Sequence, residues 1–254
     1  MQRFQADGDL VKPVELIAVS GSEDLGLTER RIYNILIKNA FGPDLGVPGK
    51  RFAIATSELK DGIASNDELL NSLLRLMRTV VRVRMSNGNI EQVQLLGWNS
   101  LVSTGKAHGT IEYVVPQELA GYLRNSTLFA RLEVAVLRAF TSKYALALYE
   151  QVSQWVNMDY KGHHDYTLAE FREAMGAPEG ALTRFSALNQ KVVTPAVLEV
   201  NGLADFDVTV LQVKTKNKVT GLRVCWSRKD VAGRRAAYAE LQQPKAGRRA
   251  RLRT

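Results

Sequence analysis

His163, His164, Asp165 and Tyr166 are the one cluster whose residue types suggest covalent chemistry. A nicking strand transferase needs two histidines sharing a metal and a tyrosine to attack a phosphodiester. Adjacent histidines on an extended chain point to opposite sides, and the third histidine, His108, is distant in sequence. The HHDY run reads instead as a polar loop ahead of a helix capped by Thr167. No GxxxxGK[ST] phosphate loop is present, which argues against an ATP-driven helicase. The single cysteine, Cys225, sits in a strand-like run beside Trp226 and reads as core rather than nucleophile. It cannot form an internal disulfide or supply a zinc site alone. No catalytic residue, metal or cofactor is expected, and the nicking reading stays as a minor alternative.

A second arrangement suits recognition rather than catalysis. From Thr183 to Asn201 the apolar residues Phe185, Leu188, Val192 and Ala196 fall on one narrow helical stripe, with Val200 beside it. Thr183, Ala187, Gln190 and Thr194 lie opposite, bordered by Arg184 and Lys191. Small and hydrogen-bonding residues flanked by cations match a major groove, where Gln bonds adenine bidentately and Arg or Lys reaches guanine. The turn KTKNK places Lys214, Lys216 and Lys218 at a hairpin tip, suited to phosphates. Arg75 and Arg78, three apart on another helix, share a face. Phosphate contact and salt bridges to neighbouring acids are equal explanations for that pair.

The elements that hold these residues repeat in order. TERRIYNILIKNA has helical spacing behind a Thr28 cap, RFAIATSEL reads as a strand entering a helical turn, and Ser65 and Glu68 open the next helix at capping-box spacing. VVRVRM and IEQVQLL follow around Asn87-Gly88, a strong hairpin signal. A third strand, GTIEYVV, precedes the Pro-started helix PQELAGYL. The second half runs from a helix capped by Ser142, through the one capped by Thr167 and the one from Thr183, to strands FDVTVLQV and VTGLRVCW. Helices followed by a hairpin is the order of a winged helix. Pro195 requires a kink or a missing hydrogen bond in its helix.

Two stretches then resemble a known group, the iteron-binding plasmid replication initiators of the Rep-3 family. In TSKYALALY, residues Ser142, Lys143, Tyr144, Ala145, Leu148 and Tyr149 match its pattern; in VVTPAVLEVN, residues Val192, Pro195, Ala196, Glu199 and Asn201 do. Where the family usually carries a basic run, this chain has Asn189, Gln190 and Lys191. The resemblance implies an α+β fold of two tandem winged-helix domains, the second reading direct repeats in double-stranded DNA at an origin. It also implies a homodimer that dissociates to monomers for the repeats, represses its own promoter at an inverted repeat, and meets host replication proteins. The apolar strands IEQVQLL and GTIEYVV are interface candidates. A winged-helix repressor without a replication role is the rival reading.

The expected division is an arm over 1–27, a first winged helix over 28–130, a second over 131–228 and a basic tail over 229–254. Of 254 residues, 45% are apolar and 24% charged, which excludes a mostly disordered chain. The formal charge is +8, but Arg228 to Thr254 hold nine Lys/Arg and two Asp/Glu. The body before them is close to neutral, so charge alone specifies no partner. No run is long and apolar enough for a membrane span, and nothing in MQRFQADGDLVKP favours secretion, so a cytoplasmic protein is expected.

Overall fold

The computed structural model describes residues 8–17, 19–84, 88–104, 109–126, 128–158, 160–178 and 180–253. Asn87 of the hairpin turn and His108 lie outside the described residues. The chain divides into two units, Met1–Val134 and Ala135–Thr254.

Unit 1 begins with β1 (Asp9–Pro13) and β2 (Val19–Ser20), followed by α1 (Leu27–Ala40). The start of α1 is set by Gly26, whose N–H donates to Glu29 Oε2 at 3.0 Å, rather than by Thr28. Ile32, Leu36 and Ala40 bury the inner stripe of α1. Then come β3 (Phe52–Ala55), the short α2 (Thr56–Leu59) and α3 (Asn66–Arg78). Ser65 caps α3 by accepting the Glu68 N–H at 3.1 Å, as its spacing indicates. Leu69, Leu73 and Leu76 are the buried side of α3, and Leu74 is exposed.

The hairpin β4 (Val80–Arg84) and β5 (Ile90–Gln94) pairs antiparallel, and β2 adds to β4, giving the order β2-β4-β5. β6 (Asn99–Val102) and β7 (Thr110–Tyr113) form a second sheet of order β3-β7-β6. After α4 (Gln117–Asn125), β8 (Phe129–Glu133) pairs with β1. Strand β7, the GTIEYVV segment, is therefore bonded on both edges. Of the two interface candidates only β5 keeps an open edge.

In unit 2, α5 (Val134–Ala139) leads into α6 (Lys143–Ser153), whose cap Ser142 accepts the Tyr144 N–H at 3.2 Å. The next element corrects the sequence reading: residues His163–Thr167 are strand β9, not a loop. Its partner explains why: β9 completes a three-stranded sheet of order β10-β11-β9, pairing Tyr166 with Leu222 and His164 with Val224. Thr167 ends the strand and caps α7 (Leu168–Ala174) through a reciprocal box with Glu170. Then α8 (Phe185–Leu188), a π-helical turn (Asn189–Val193) and α9 (Thr194–Leu203) run on as one composite helix. Strands β10 (Phe206–Thr215) and β11 (Lys218–Arg228) form the long hairpin. This is a winged helix in strand and helix order.

The basic segment beyond is folded as α10 (Val231–Leu241) and α11 (Arg248–Arg251). Asp230 caps α10 by accepting the Gly233 N–H at 2.7 Å. Leu252 packs so closely on Gly202 of α9 that an added Cβ there would meet it at 2.4 Å.

Candidate nucleic-acid interface

Helix α7 and the composite helix are locked at the turn between them. Arg172 of α7 donates to Leu182 O at 3.1 Å and to Thr183 O at 2.9 Å, and also to Leu168 O at 3.1 Å on its own helix. Leu182 takes φ +53°, left-handed backbone that a leucine adopts only when its surroundings impose it. On the inner side of the composite helix, Leu188, Val192, Val193 and Ala196 are buried, and the helix packs on α6. Phe185, expected in that stripe, is only half-buried.

On the other side the structure brings most of the expected residues together. Thr183, Arg184, Gln190, Lys191 and Thr194 are exposed, and Ala187 is half-buried. Ser186 is exposed beside them, a position the sequence reading omitted. Neither Arg184 nor Lys191 has an acidic partner among the described residues. Beyond Thr194 no residue of α9 is exposed, so the open face is confined to the N-terminal half of the composite helix.

Pro195 has no N–H to give the carbonyl four residues back, and its ring crowds that carbonyl. The helix answers by widening: the Thr194 N–H donates to Asn189 O, five residues back. The missing hydrogen bond expected of Pro195 is present, at Lys191 O. Gln190 and Lys191 both lie on the widened turn.

The wing carries the expected cations. Lys214 ends β10, Lys216 sits in the turn at φ +55°, and Lys218 opens β11. All three are exposed, as is every residue from Leu211 to Lys218. None has an ion-pair partner among the described residues. The hairpin irregularity falls between Val213 and Lys214, where the strand register shifts. Arg223, farther down the wing, is already held by Asp165 through two bonds of 2.7 and 2.8 Å.

In unit 1 the two arginines divide. Arg75 donates to Glu29 Oε1 at 3.1 Å, a nearly buried carboxylate that also accepts from Ser72 Oγ. Arg78 is exposed and without a partner among the described residues.

The HHDY segment is an aromatic girder. His164 stacks on Trp155 with centroids 4.3 Å apart, Trp155 stacks on Trp226 at 5.3 Å, and Tyr166 meets His164 and Phe171 edge-on. Lys161 Nζ lies 4.2 Å from the Trp155 ring centre and 3.2 Å from His164 Nδ1. Burial, helped by the Lys161 charge, holds the His164 pKa below its ordinary value. The Tyr166 hydroxyl donates to Gln151 Oε1 at 3.1 Å, and burial raises its pKa far above the usual phenol range. His163 is exposed while its neighbour turns inward, so the two rings lie on opposite faces of β9. Among the described residues no group of three His, Cys, Asp or Glu converges on a metal position.

The residues that carry the family resemblance build the frame. Glu199 is 0% exposed and accepts from the Thr141 N–H at 2.7 Å, the Thr141 hydroxyl at 2.5 Å and Arg249 Nε at 2.8 Å. Asn201 holds β10 by accepting the Val208 N–H at 2.7 Å and donating to Val208 O at 3.0 Å. Tyr149 stacks flat on Phe206, centroids 5.6 Å apart. Arg248, 2% exposed, donates to Ala139 O at 2.6 Å and to Gln243 O at 2.9 Å. Arg251 pairs with Glu240, Arg228 with Asp205, and Lys229 caps the end of α9 at Ala204 O. Most of the basic segment's charge is thus consumed inside unit 2.

Two family descriptions match this frame, the initiator replication protein WH1 over residues 9–153 and the initiator Rep protein WH2 over residues 167–225. The chain belongs to this replication-initiator family. Its fold is two tandem winged helices, and α10 and α11 lie beyond the WH2 match. A crystal structure of the Pi initiator protein in complex with iteron DNA aligns at TM-score 0.67 and 14% identity, covering 89% of this chain and 99% of that chain. Domains 2 and 3 of RctB align at TM-score 0.45 and 14% identity, over 80% of this chain and 82% of that one. No curated protein matches. No helix among the described residues is long and apolar enough to cross a membrane.

Proposed function

We propose that this initiator binds direct repeats of duplex DNA at a replication origin, with its WH2 unit as reader, and neither cuts nor unwinds the DNA enzymatically. The observation that carries the reading is the open face of the composite helix. Ser186, Gln190, Lys191 and Thr194 are exposed together on a helix that starts at Phe185 rather than Thr183, with Thr183 and the N-cap Arg184 exposed just before it; the helix is braced from behind by a buried stripe and clamped at its start by Arg172. A major groove about 12 Å wide admits such a helix. Lys214, Lys216 and Lys218 then reach phosphates beside it, and Arg78 of the WH1 unit supplies a further backbone contact. The Pi initiator, solved on iteron DNA with the same fold, supports the assignment of ligand class.

The open edge of β5 favours a companion role, self-pairing of WH1 units into a homodimer that would bind an inverted repeat at the promoter. Host replication proteins and a cytoplasmic location belong to the same reading. Sedimentation that shows a strict monomer at micromolar concentration, with and without operator DNA, would remove the dimer from it.

Binding isotherms at several salt concentrations, on the origin repeat and on random duplex, test the reader. Gln190→Ala and Arg184→Ala should each cost about 1–3 kcal/mol on the repeat and far less on random DNA. Lys216→Ala should weaken both and shallow the salt slope by roughly one unit. Equal losses on both DNAs for the helix variants would reject the reader. Nicked circles above background on supercoiled origin DNA, lost on Tyr160 or Tyr166 substitution, would reject the non-enzymatic assignment.

A further inference from the structure

The π-helical turn in the middle of the reading helix changes how the residues before it face the core, as counting back from Val200 shows. At about 100° per residue, counting back from Val200, Ala196 and Val193 fall within about 40° of it, and both are buried. Continued straight, the same wheel would place Asn189 about 20° and Ser186 about 40° from the core line, and Leu188 about 120° away. The structure shows the reverse: Leu188 is 0% exposed, Ser186 is exposed and Asn189 is half-buried. One extra residue in a turn rotates everything before it by about 100°. That brings Leu188 back to within about 20° of the core line and swings Ser186 outward. The Thr194 to Asn189 hydrogen bond marks where the extra residue is absorbed, and Pro195 pins it there by denying Lys191 O its normal partner.

We infer that Pro195 is a positioning residue for DNA reading. It fixes the wide turn at Asn189–Val193 and so sets the angle between Gln190 and Lys191 on the turn and Arg184 and Ser186 before it. The inference rests on the reading face proposed above. A groove-reading helix discriminates bases only if its side chains arrive at set angles, and a wide turn that drifted along the helix would change those angles without exposing the core.

Two variants test it, Pro195→Ala and Pro195→Ala with Asn189 deleted, each measured on the repeat that the wild-type protein protects and on random duplex. Deleting Asn189 makes Leu188 and Val193 four apart, so a straight helix can bury both. The expected result is a loss of about tenfold in the repeat-to-random affinity ratio for the deletion variant, the lower end of a base contact's worth. Random-DNA affinity should stay within about twofold, and the thermal midpoint within about 2 °C. For Pro195→Ala alone the ratio should fall by at least about threefold with the midpoint unchanged or raised, since a helix-interior proline is removed. If the deletion variant does not fold, Pro195→Ala decides. A wild-type ratio in the folded variants overturns the inference. Gln190→Ala in parallel separates the two claims. If it too leaves the ratio intact, the reading face has failed; if it collapses the ratio while the straightened helix keeps it, only the role of Pro195 has.

Discussion

Replacing Glu199 by alanine should destabilise the WH2 unit without touching DNA contacts. Three donors converge on this fully buried carboxylate: the Thr141 N–H and hydroxyl, and Arg249 Nε. A hydrogen bond to a charged group contributes about 1.5–3 kcal/mol, but the three do not add. Thr141 is exposed, and the Arg249 side chain is 45% exposed, so the abandoned donors regain water. The loss is therefore about 3 kcal/mol, at the lower end of breaking a buried pair. For a unit of this size it lowers the thermal midpoint by about 10 °C. Glu199→Gln keeps the volume but turns an N–H₂ toward a donor, costing about 1–2 kcal/mol. Arg249→Ala removes a half-exposed, solvent-screened partner, costing about 1 kcal/mol. Thermal melts followed by far-ultraviolet circular dichroism would rank the three. Repeat binding at low temperature, corrected for the folded fraction, should be unchanged in all of them. A Glu199→Ala protein melting within about 2 °C of wild type, or one that melts normally and loses DNA specificity, would refute the reasoning.

Arg78→Ala should weaken DNA binding with no change in melting, while Arg75→Ala should lower stability by up to about 1 kcal/mol through Glu29; paired melts and isotherms distinguish them. Because the folded His164 pKa lies below its unfolded value, the folded state resists protonation there. The stability from neutral His164 is fully present above the unfolded value near 6.5 and is lost as pH falls below it. Melts of wild type and His164→Gln from pH 7.5 to 5 should diverge in that window, and parallel curves would contradict it. Removal of residues 247–254 should destabilise the WH2 unit rather than merely lower non-specific binding, because Arg248 is buried and Arg249 serves Glu199; an unaltered melt would show the segment to be dispensable.

Much of the fold was legible where capping chemistry is local. Ser65, Ser142 and Thr167 each sit at the helix starts their side chains imply, and the alternating strands of both hairpins pair as their pattern indicates. The exposed face from Thr183 to Thr194 was legible for the same reason, as simple periodicity. What escaped was what depends on partners far along the chain. HHDY has turn-like composition, yet becomes a strand because β11 offers it an edge. Ser186 was passed over because a wheel of constant angle has no place for a π-helical turn. Arg172 gives no sequence signal of its own, since its targets are backbone carbonyls ten and eleven residues on. The basic segment looked free because its acceptors, Ala139 O and Glu199, lie 50 to 109 residues earlier.

That last arrangement orders events during synthesis. Domains emerge and fold from the N-terminal side, and the WH1 unit contains every strand partner it uses. The WH2 unit lacks part of its bracing until residues 248 and 249 have left the ribosome, because they fill positions at 139 and 199. Until then a buried carboxylate stands without its cation. Translation that stalls or stops shortly before residue 248 would thus leave a WH1 unit with its sheets complete, joined to a WH2 unit short of that bracing.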